Sequence, residues 1–495
     1  MNESKKAMSI DHLQQLDKIV SLSKSRGFIF QSSEIYGGLG AVYDYGPLGA
    51  ELKRNIRDAW WREMTQKHEN IVGVDAAIFM HPKVWEASGH VEGFNDPMID
   101  DKQSKKRYRA DMLIEQHIEK LRKDGKEKEA KQVKELLDTS GTRVGLCEDL
   151  HKIIMDYEIK APESGAFDWT DVRQFNLMFK TQFGAVASAE DADAVYLRPE
   201  TAQGIFVNYK NVMDTARQQI PFGIAQVGKA FRNEVVARQF VFRMREFEQM
   251  EMQYFVKPGA DEEQYNEWLN KRMEWHKGIG IREKYLRAEP HPPDKLAHYA
   301  RAAADIQYLF PIGWQEVEGI HNRTDFDLSQ HQEYSGKKLE YFDQSTRDRY
   351  VPYVVETSVG LDRTILMVLC DAYREEEVEG ETRTVLKMHP ELAPITAGIF
   401  PLVKKPELQE LSRKIEKDLR EDYRVLYDEA GSIGKRYRRL DEAGTPFCIT
   451  VDFDGLEDNT VTIRYRDDMK QERISADKVG EVIRSASKSW KPESK

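Results

Sequence analysis

The sequence predicts an α+β protein of several domains, and three stretches of the chain carry this prediction. Residues 171–255 are rich in strand-forming runs such as AVYLRPETAQGIF and PFGIAQVGKAF. Residues 96–170 are very polar and contain long helical patterns, which predicts an inserted and largely helical module. From about residue 393, buried strands alternate with helices, which predicts a small C-terminal α/β domain with a largely parallel sheet.

Composition limits the class of protein. The chain has 495 residues, of which 40% are hydrophobic and 32% are charged, and its net charge is -11. The apolar content is sufficient for a large core, and the negative charge argues against a non-specific nucleic-acid binder. The cysteines Cys147, Cys370 and Cys448 are odd in number and widely spaced, so neither a disulfide framework nor a metal cluster is predicted. With no apolar run long enough to span a bilayer, a cytoplasmic protein without a membrane partner is expected.

The remaining elements follow in chain order. Residues 11–26 predict a short helix, and a Gly- and Tyr-rich segment then leads into a long helix from about Ala50 to Thr65. That segment is not a P-loop, because no Gly-Lys-Ser/Thr follows it. Residues 258–310 are interpreted as helical and polar, and residues 333–358 as a strand hairpin. Residues 360–373 predict an apolar helix that begins at a glycine, followed by the acidic loop REEEVEGE.

The predicted domains follow from these boundaries: a core in two parts (1–95 and 171–392), the inserted module (96–170) and a C-terminal domain (393–495). The charge run of the insert is more typical of a solvated face than of a binding site.

One hairpin indicates a nucleotide site. Residues 228–254 carry the run FRNE, which ends at Glu234, and the run FRMREF, which ends at Phe247, on either side of a short loop. Arginine presents a fixed fork of donors to phosphate oxygens, and phenylalanine offers a flat face on which a base can stack. From these residues alone, a charged hairpin with solvated ions is the alternative interpretation.

Three separated motifs resemble a known family. They are Gly46-Pro47 ahead of a long helix, Phe231-Arg232-x-Glu234 on the hairpin, and Gly360-Leu361-Asp362-Arg363 at the start of an apolar helix. In this order they resemble the signature motifs of class II aminoacyl-tRNA synthetases. Further stretches resemble glycyl-tRNA synthetases of the homodimeric, eukaryote- and archaeal-like type: residues 43–49, 89–98, 175–181, 198–204, 247–251 and 356–363.

The resemblance implies a fold and a reaction. The fold would be an antiparallel sheet of six to eight strands flanked by helices, with the first motif at a homodimer interface and the C-terminal domain reading the anticodon. The reaction would use ATP to convert glycine to glycyl-adenylate, with release of pyrophosphate, and would then transfer glycine to the 3′ end of tRNA(Gly). The implied substrates and partners are glycine, ATP with Mg²⁺, tRNA(Gly) and a second copy of the chain.

The resemblance also implies an ATP site with Arg232 and Arg363 as the catalytic residues, because phosphoryl substitution needs positioning and charge neutralisation. Arg238 and Arg323 are further candidates for the anion site, and Glu316 is the expected Mg²⁺ ligand. The full set of expected ATP-binding residues is Arg232, Asn233, Glu234, Phe242, Arg243, Met244, Arg245, Glu246, Phe247, Glu316, Val317, Gly360, Leu361, Asp362 and Arg363.

Glycine has no side chain to grip, so its pocket must recognise the ammonium group and exclude bulk. Glu200, Glu251 and Glu356 suit the ammonium, with Ser358 as a hydroxyl partner. The alternative is that these carboxylates form ion pairs within a core. The full expected set is Arg109, Glu200, Phe247, Glu248, Gln249, Met250, Glu251, Glu356, Thr357, Ser358, Val359 and Gly360.

The chain departs from its presumed relatives at two places. Many of them carry cysteine pairs near the positions of residues 101–104 and 161–164 here, and because these cysteines are absent, no structural zinc is expected. His321 stands where a small residue is expected and is interpreted as a packing variant. In the C-terminal domain, the basic run Lys435–Arg439 suits anticodon phosphates and base stacking, with a solvated turn as the alternative.

Two rival functions remain. One is a class II ligase for another amino acid, such as threonine, proline or histidine, and the glutamate set argues against it. The other is a non-catalytic paralogue that binds nucleic acid. Such a protein would be expected to lose its phosphate arginines, whereas Arg232, Glu234, Glu316 and Arg363 are all present.

Overall fold

The computed structural model describes residues 15–140, 145–182, 194–234, 239–293, 296–297 and 299–492. The candidate Arg238 lies outside these residues. The chain forms two compact units. The first unit comprises residues 1–76, 201–228 and 247–495. The second unit comprises residues 77–200 and 229–246.

A seven-stranded sheet forms the centre of the first unit. Its strands, in spatial order, are Leu286–Pro290, Ala302–Phe310, Gly313–Thr324, Tyr353–Gly360, Glu246–Val256, Phe222–Phe231 and Ile71–Gly73. The central pairings are antiparallel, and the edge strand Ile71–Gly73 runs parallel to its neighbour. The expected antiparallel sheet of six to eight strands is therefore confirmed.

Helices cover this sheet. They are residues 15–26 and the helices Pro47–Thr65, Ala202–Thr215, Asp261–Gly278, Phe326–Ser335 and Leu361–Ala372. The long helix begins at Pro47, three residues before the predicted start, because the fixed φ of proline suits the first turn. Its residues Leu52, Ile56, Trp60 and Met64 are buried at a spacing of four, which is the apolar stripe of a helix packed on a core.

Two local predictions in this unit were wrong, and a third was confirmed with other bounds. The helix predicted over residues 258–310 ends at Gly278, and Ala302–Phe310 is a strand whose buried residues alternate from Ala304 to Phe310. The alternation has a period of two, which the helical interpretation overlooked. The strand hairpin predicted around 333–358 is the antiparallel pair of Tyr341–Phe342 with Arg349–Tyr350, followed by the strand Tyr353–Gly360. The acidic loop is a hairpin of Tyr373–Val378 with Glu381–Leu386.

The C-terminal part of the first unit is an α/β domain, as predicted. Its strands, in spatial order, are Val425–Tyr427, Ala397–Pro401, Phe447–Val451, Thr460–Tyr465 and Gln471–Ser475. The first three strands are parallel and the last two pair antiparallel, so the sheet is mixed rather than largely parallel. Its helices are Pro406–Leu419, Ile433–Glu442, Asp454–Asp458 and Val479–Ser489.

The second unit combines helices with two small sheets. Its helices are Pro82–Ala87, His90–Gly93, Ala110–Lys123, Glu127–Thr139 and Leu146–Asp156. One sheet has the strand order Arg107–Arg109, Asn95–Asp100 and Arg173–Asn176, and the other pairs Lys180–Gln182 with Ala194–Tyr196. Ile114, Ile154, Leu150 and Trp169 lie in its hydrophobic core. The predicted helical character of residues 96–170 is confirmed, although a sheet accompanies the helices.

The carboxylate of Asp101 joins two loops of this unit, which include the positions where the sequence lacks zinc-binding cysteines. The Oδ2 atom of Asp101 accepts hydrogen bonds from the hydroxyls of Ser104 at 2.5 Å and Ser164 at 2.6 Å. Its Oδ1 atom accepts from the backbone N–H of Gln103 at 3.0 Å. These bonds, led by the one from Ser104, lower the pKa of Asp101 to about 2. Within the described residues, no group of three or more His, Cys, Asp or Glu side chains could hold a metal ion.

Candidate active site

The candidate glycine site lies on one face of the central sheet. Directly opposite residues of antiparallel strands share a face, so three neighbouring strands place two polar rows side by side. One row is Gln253, Glu356 and His321, and the other is Glu251, Ser358 and Gly319. Residues far apart in sequence therefore meet here because of strand register.

Glu356 is buried, and donors surround its carboxylate. Its Oε2 accepts from the amide of Gln253 at 2.7 Å and lies 3.1 Å from the guanidinium of Arg323. Its Oε1 lies 2.8 Å from Nδ1 of His321. Burial raises the pKa of Glu356, but the charge of Arg323 and the His321 bond outweigh it and lower this pKa to about 2. Glu356 is therefore ionised throughout the physiological range.

Arg323 joins two carboxylates instead of completing an anion site. Its Nε and Nη2 atoms donate to the two oxygens of Asp327 at 2.7 and 2.9 Å, which is a bidentate geometry. Its Nη1 donates to Glu356 at 3.1 Å. Although burial lowers the pKa of Arg323, the charges of Asp327 and Glu356 raise it well above the usual value.

The donors to the carboxylate of Glu251 include two uncharged side chains. Its Oε2 accepts from the hydroxyl of Thr201 at 2.5 Å, and its Oε1 accepts from Gln253 at 2.7 Å. Gln253 thus bridges Glu251 and Glu356. Arg323 in turn bridges Glu356 and Asp327, so these side chains form one connected network.

Strand alternation places the expected glycine-site residues on two different faces of the sheet. Gln249, Glu251, Glu356 and Ser358 lie on the polar face, and Gln249 donates to the Ser358 hydroxyl at 3.3 Å. The side chains of three other expected residues alternate to the opposite face and are fully buried there: Met250, Thr357 and Val359. Any contribution of these three to a glycine pocket would come from the backbone.

The ATP candidates of the first unit lie at the start of the helix Leu361–Ala372. Arg363 is in its first turn, and its Nη1 lies 3.3 Å from the carboxylate and 3.1 Å from the carbonyl oxygen of Glu316. The Glu316 side chain is 47% exposed. Val317 and Leu361 are buried in the core, so they shape the site through the backbone.

Two residues that sequence reasoning missed connect the first motif to the third. The buried carboxylate of Asp362 accepts from the hydroxyl of Tyr45 and from Nζ of Lys53, the latter at 3.1 Å. It also accepts from the backbone N–H of Glu248 at 2.7 Å. Asp362 therefore fixes the strand that carries Phe247 and the helix that carries Arg363. The proximity of Tyr45 and Lys53 to the Gly46-Pro47 motif was the available signal.

In the second unit, the hairpin fixes Arg232 through its backbone and its side chain. The N–H of Arg232 donates to the carbonyl of Arg245 at 2.9 Å, and its Nε donates to the carbonyl of Pro199 at 3.1 Å. The guanidinium also lies 5.3 Å from the ring centroid of Phe94, within the range of a cation–π contact. Asn233 donates its N–H to Leu177, at 2.7 Å.

The other candidates of the second unit lie around the same hairpin. Nε of Arg245 donates to the carbonyl of Glu234 at 3.1 Å, and Glu246 pairs with Lys229. Phe242 and Met244 are buried, and Arg243 is among the charges that act on Asp96.

Arg109 and Glu200 have charged or titratable neighbours in the second unit. Arg109 bonds to Asp111 at 2.6 Å and pairs with Asp96 at 3.0 Å. The Asp111 bond is the largest cause that raises the pKa of Arg109, and the charge of Glu234 adds to it, so the structure brings Arg109 and Glu234 together. The carboxylate of Glu200 lies 3.3 Å from His90.

Comparisons with known proteins identify the class first. The tRNA synthetase class II core domain (G, H, P, S and T) matches residues 179–372, and the anticodon binding domain matches residues 396–486. The prolyl-tRNA synthetase of Cryptosporidium parvum, complexed with halofuginone and AMPPNP, superposes with a TM-score of 0.60 over 95% of this chain and 75% of that chain. At 12% identity this likeness shows the fold. The fold is that of the class II aminoacyl-tRNA synthetases.

Sequence relatives narrow the class. The glycine–tRNA ligase of Chlorobaculum tepidum is 58% identical over 94% of this chain and 99% of its own length. That of Treponema denticola is 50% identical over 97% of this chain and 99% of its own length. Glycyl-tRNA synthetase insertion domain 1 matches residues 96–144 and 129–177. The chain belongs to the glycine–tRNA ligase family.

Proposed function

We propose that this ligase selects glycine on the polar face of the central sheet and activates it with the arginines of the second and third motifs. The observation that carries the proposal is the placement of two buried carboxylates, Glu251 and Glu356, in neighbouring polar rows of one sheet face, where the amide of Gln253 donates to both. Carboxylates that lie side by side favour a small cation, and the ammonium group of an amino acid is one. The glycines at positions 319 and 360 add no side chain to the rows beside Ser358, which suits a substrate without a side chain.

In the first step, a carboxylate oxygen of glycine attacks the α-phosphorus of ATP, and the bond from that phosphorus to the bridging oxygen of pyrophosphate breaks. We assign Arg232 to the α-phosphate and the glycine carboxylate, and Arg363 to the opposite side near the γ-phosphate. Both would neutralise charge that develops on the phosphoryl oxygens. Phe247 would stack on adenine, and the bonds of Asp362 would hold Phe247 and Arg363 in register.

A divalent ion fits the exposed carboxylate of Glu316. One carboxylate on a strand, with phosphate oxygens from the substrate, is the usual way in which Mg²⁺ is held in such sites. When bound, Mg²⁺ supplies neutralisation of the phosphate charge.

In the second step, a hydroxyl of the terminal ribose of tRNA(Gly) attacks the acyl carbon of the adenylate, and AMP leaves.

We propose that the C-terminal domain binds the anticodon with part of its basic run. The run lies on the helix Ile433–Glu442, so the alternative of a solvated turn is wrong. Arg436 is buried and donates to the carbonyl of Pro401 at 2.6 Å, and Arg439 pairs with Asp428, so both have structural roles. Lys435 is exposed and is the better candidate for an anticodon phosphate.

We further propose that the enzyme is a homodimer of the type to which its motifs are similar and that it works in the cytoplasm, where translation takes place. Ile35 and Tyr36, in the segment before the long helix, are 88% and 87% exposed. Adjacent exposed apolar side chains of this size are typical of an interface. Light scattering should give the mass of two chains, and the double variant Ile35→Ser with Tyr36→Ser should shift it toward one.

Within the described residues, no helix is long and apolar enough to cross a membrane.

ATP–pyrophosphate exchange with each of the twenty amino acids, offered singly without tRNA, tests the pocket. Exchange with glycine alone is the expected result. Exchange with threonine, proline, histidine or any other amino acid would keep the mechanism and overturn the pocket. No exchange with any of them, from folded protein with Mg²⁺, would remove the adenylation proposal.

A further inference from the structure

We infer that His321 is a positioning residue for glycine recognition, and that it orients the carboxylate of Glu356 toward the ammonium group of the substrate. The inference rests on the proposed function of the polar face. It departs from the sequence interpretation, in which His321 was a packing variant.

Strand register places His321 beside Glu356. His321 lies directly opposite Glu356 in the antiparallel pair of the strands Gly313–Thr324 and Tyr353–Gly360. Both side chains therefore stand on the polar face, and Nδ1 lies 2.8 Å from Oε1 of Glu356. A carboxylate is only an acceptor when ionised, so Nδ1 carries the hydrogen of this bond.

The three neighbours of Glu356 divide its two oxygens unequally. Gln253 and Arg323 make their closest contacts to Oε2, at 2.7 and 3.1 Å, whereas His321 contacts Oε1 at 2.8 Å and Arg323 reaches Oε1 only at 3.4 Å. Oε1 has one close donor, so it is the oxygen that can best accept a further bond from a ligand. The bond from His321 fixes the rotation of the carboxylate and thus the direction of that further bond.

The backbone leaves room for the imidazole of His321. A Cβ atom at Gly319 would lie 2.7 Å from Cε1 of His321, closer than side chains tolerate. The ring thus lies against Gly319, the residue that stands opposite Ser358 in the neighbouring row. His321 is itself partly exposed, with 20% of its side chain accessible.

Charged groups face His321 from both neighbouring strands. Glu356 faces it from one strand and Asp305 from the other, and His291 lies beside it with ring centroids 6.5 Å apart. His291 pairs with Asp305 at 3.0 Å, whereas His321 bonds to Glu356. The two histidines therefore share their surroundings but differ in the carboxylate that each contacts.

The variant His321→Asn keeps an amide donor near the position of Nδ1, so it should retain the KM for glycine within about threefold. The variant His321→Ala removes the donor and should raise the KM for glycine roughly tenfold to hundredfold, with the KM for ATP unchanged.

The experiment is pyrophosphate exchange at pH 8 with wild type, both variants and His291→Ala as the matched control. His291 pairs with Asp305 at 3.0 Å and makes no described bond to Glu356, so its variant should keep the wild-type KM for glycine. The inference is overturned if His321→Ala leaves the KM for glycine unchanged, or if His291→Ala raises it as much as His321→Ala does. A parallel rise in the KM for ATP would show a merely structural role. If the wild type itself shows no exchange with glycine, the proposed function fails instead.

Discussion

The polar sheet face of the first unit and the hairpin of the second unit hold their charges by different means. On the sheet face, Glu356 and Arg323 are buried and bonded to each other, so folding and recognition use the same contacts. On the hairpin, Arg232 and Arg245 each donate through Nε to a backbone carbonyl. A carbonyl carries no net charge, so these two contacts by themselves direct a guanidinium without neutralising it. In the proposed function, the sheet face selects one small cation and the hairpin contacts phosphate.

The largest expected effect would come from removing the guanidinium of the sheet face. Arg323→Met leaves Glu356 and Asp327 buried without their cation, which should lower the free energy of unfolding by about 3–5 kcal/mol. It should also raise the KM for glycine, because the orientation of Glu356 is lost. Urea unfolding and pyrophosphate exchange measure the two effects.

Arg272 provides the matched control for this variant. It is 1% exposed and pairs with the buried Glu318 at 2.6 Å. Glu318 neighbours Gly319 on its strand, so it points to the opposite face of the sheet. Arg272→Met should therefore destabilise the protein to a similar degree with an unchanged KM for glycine. Equal changes of this KM in both variants would contradict the role given to the polar face.

The next effect concerns the hairpin. Arg232→Ala should reduce the rate of exchange about 10²–10³-fold, because a preorganised donor to developing charge is lost. Stability should change little, since Arg232 is only partly buried. The control is Lys229→Ala, on the strand Phe222–Phe231 that ends just before Arg232, which removes an exposed ion pair with Glu246 and should change the rate less than about twofold. If both variants had similar exchange rates, the result would contradict a specific role of Arg232 in contacting phosphate.

A pH experiment sharpens the energetic side of the comparison. The pKa of Glu356 is lowered from the ordinary value of 4.5 to about 2, so its charge stabilises the fold above about pH 4.5. This stabilisation, as much as about 3 kcal/mol, is lost as the pH falls from about 4.5 toward 2. The difference in unfolding free energy between wild type and Glu356→Gln should therefore be constant above pH 5 and shrink below it. A difference in unfolding free energy that grows toward acid pH would contradict the stabilising role given to the Glu356–Arg323 ion pair.

The smallest effect belongs to a region outside both charged sites. Ser164→Ala removes one hydroxyl bond to Asp101 and should lower the free energy of unfolding by about 1 kcal/mol. The KM values for glycine and ATP should stay as in the wild type. Thermal unfolding and exchange check both statements, and a changed KM would mean that the loops of the insert act on catalysis.

The comparison also explains what the sequence could predict. The hairpin motif and the helix after Gly360 are local, so the positions of Arg232 and Arg363 follow from adjacent residues. The sheet face depends on register between distant strands, which no local pattern reveals. Alternation alone would have separated Glu251 from Met250 and would have placed His321 and Arg323 on one face. The partner of Arg323 could not be predicted, because its choice between a phosphate and Glu356 depends on three-dimensional packing.

Local misassignments have a similar cause. The strand Ala302–Phe310 is flanked by charged residues and follows a real helix, so its period of two was not recognised. The hairpin after residue 373 is rich in glutamate because alternate side chains, such as Glu375 and Glu377, are exposed. The role of Asp101 was hidden for another reason, since its partners Ser104 and Ser164 are 60 residues apart and carry no motif of their own.

The central claim is that the ammonium group of the amino acid is recognised on the sheet face and not at the phosphate site. The most direct test is to measure the KM for glycine and the KM for ATP by pyrophosphate exchange in Glu356→Gln at pH 8. The account predicts that the KM for glycine rises roughly a hundredfold while the KM for ATP stays within about twofold. An unchanged KM for glycine, or an equal rise in both values, would contradict it.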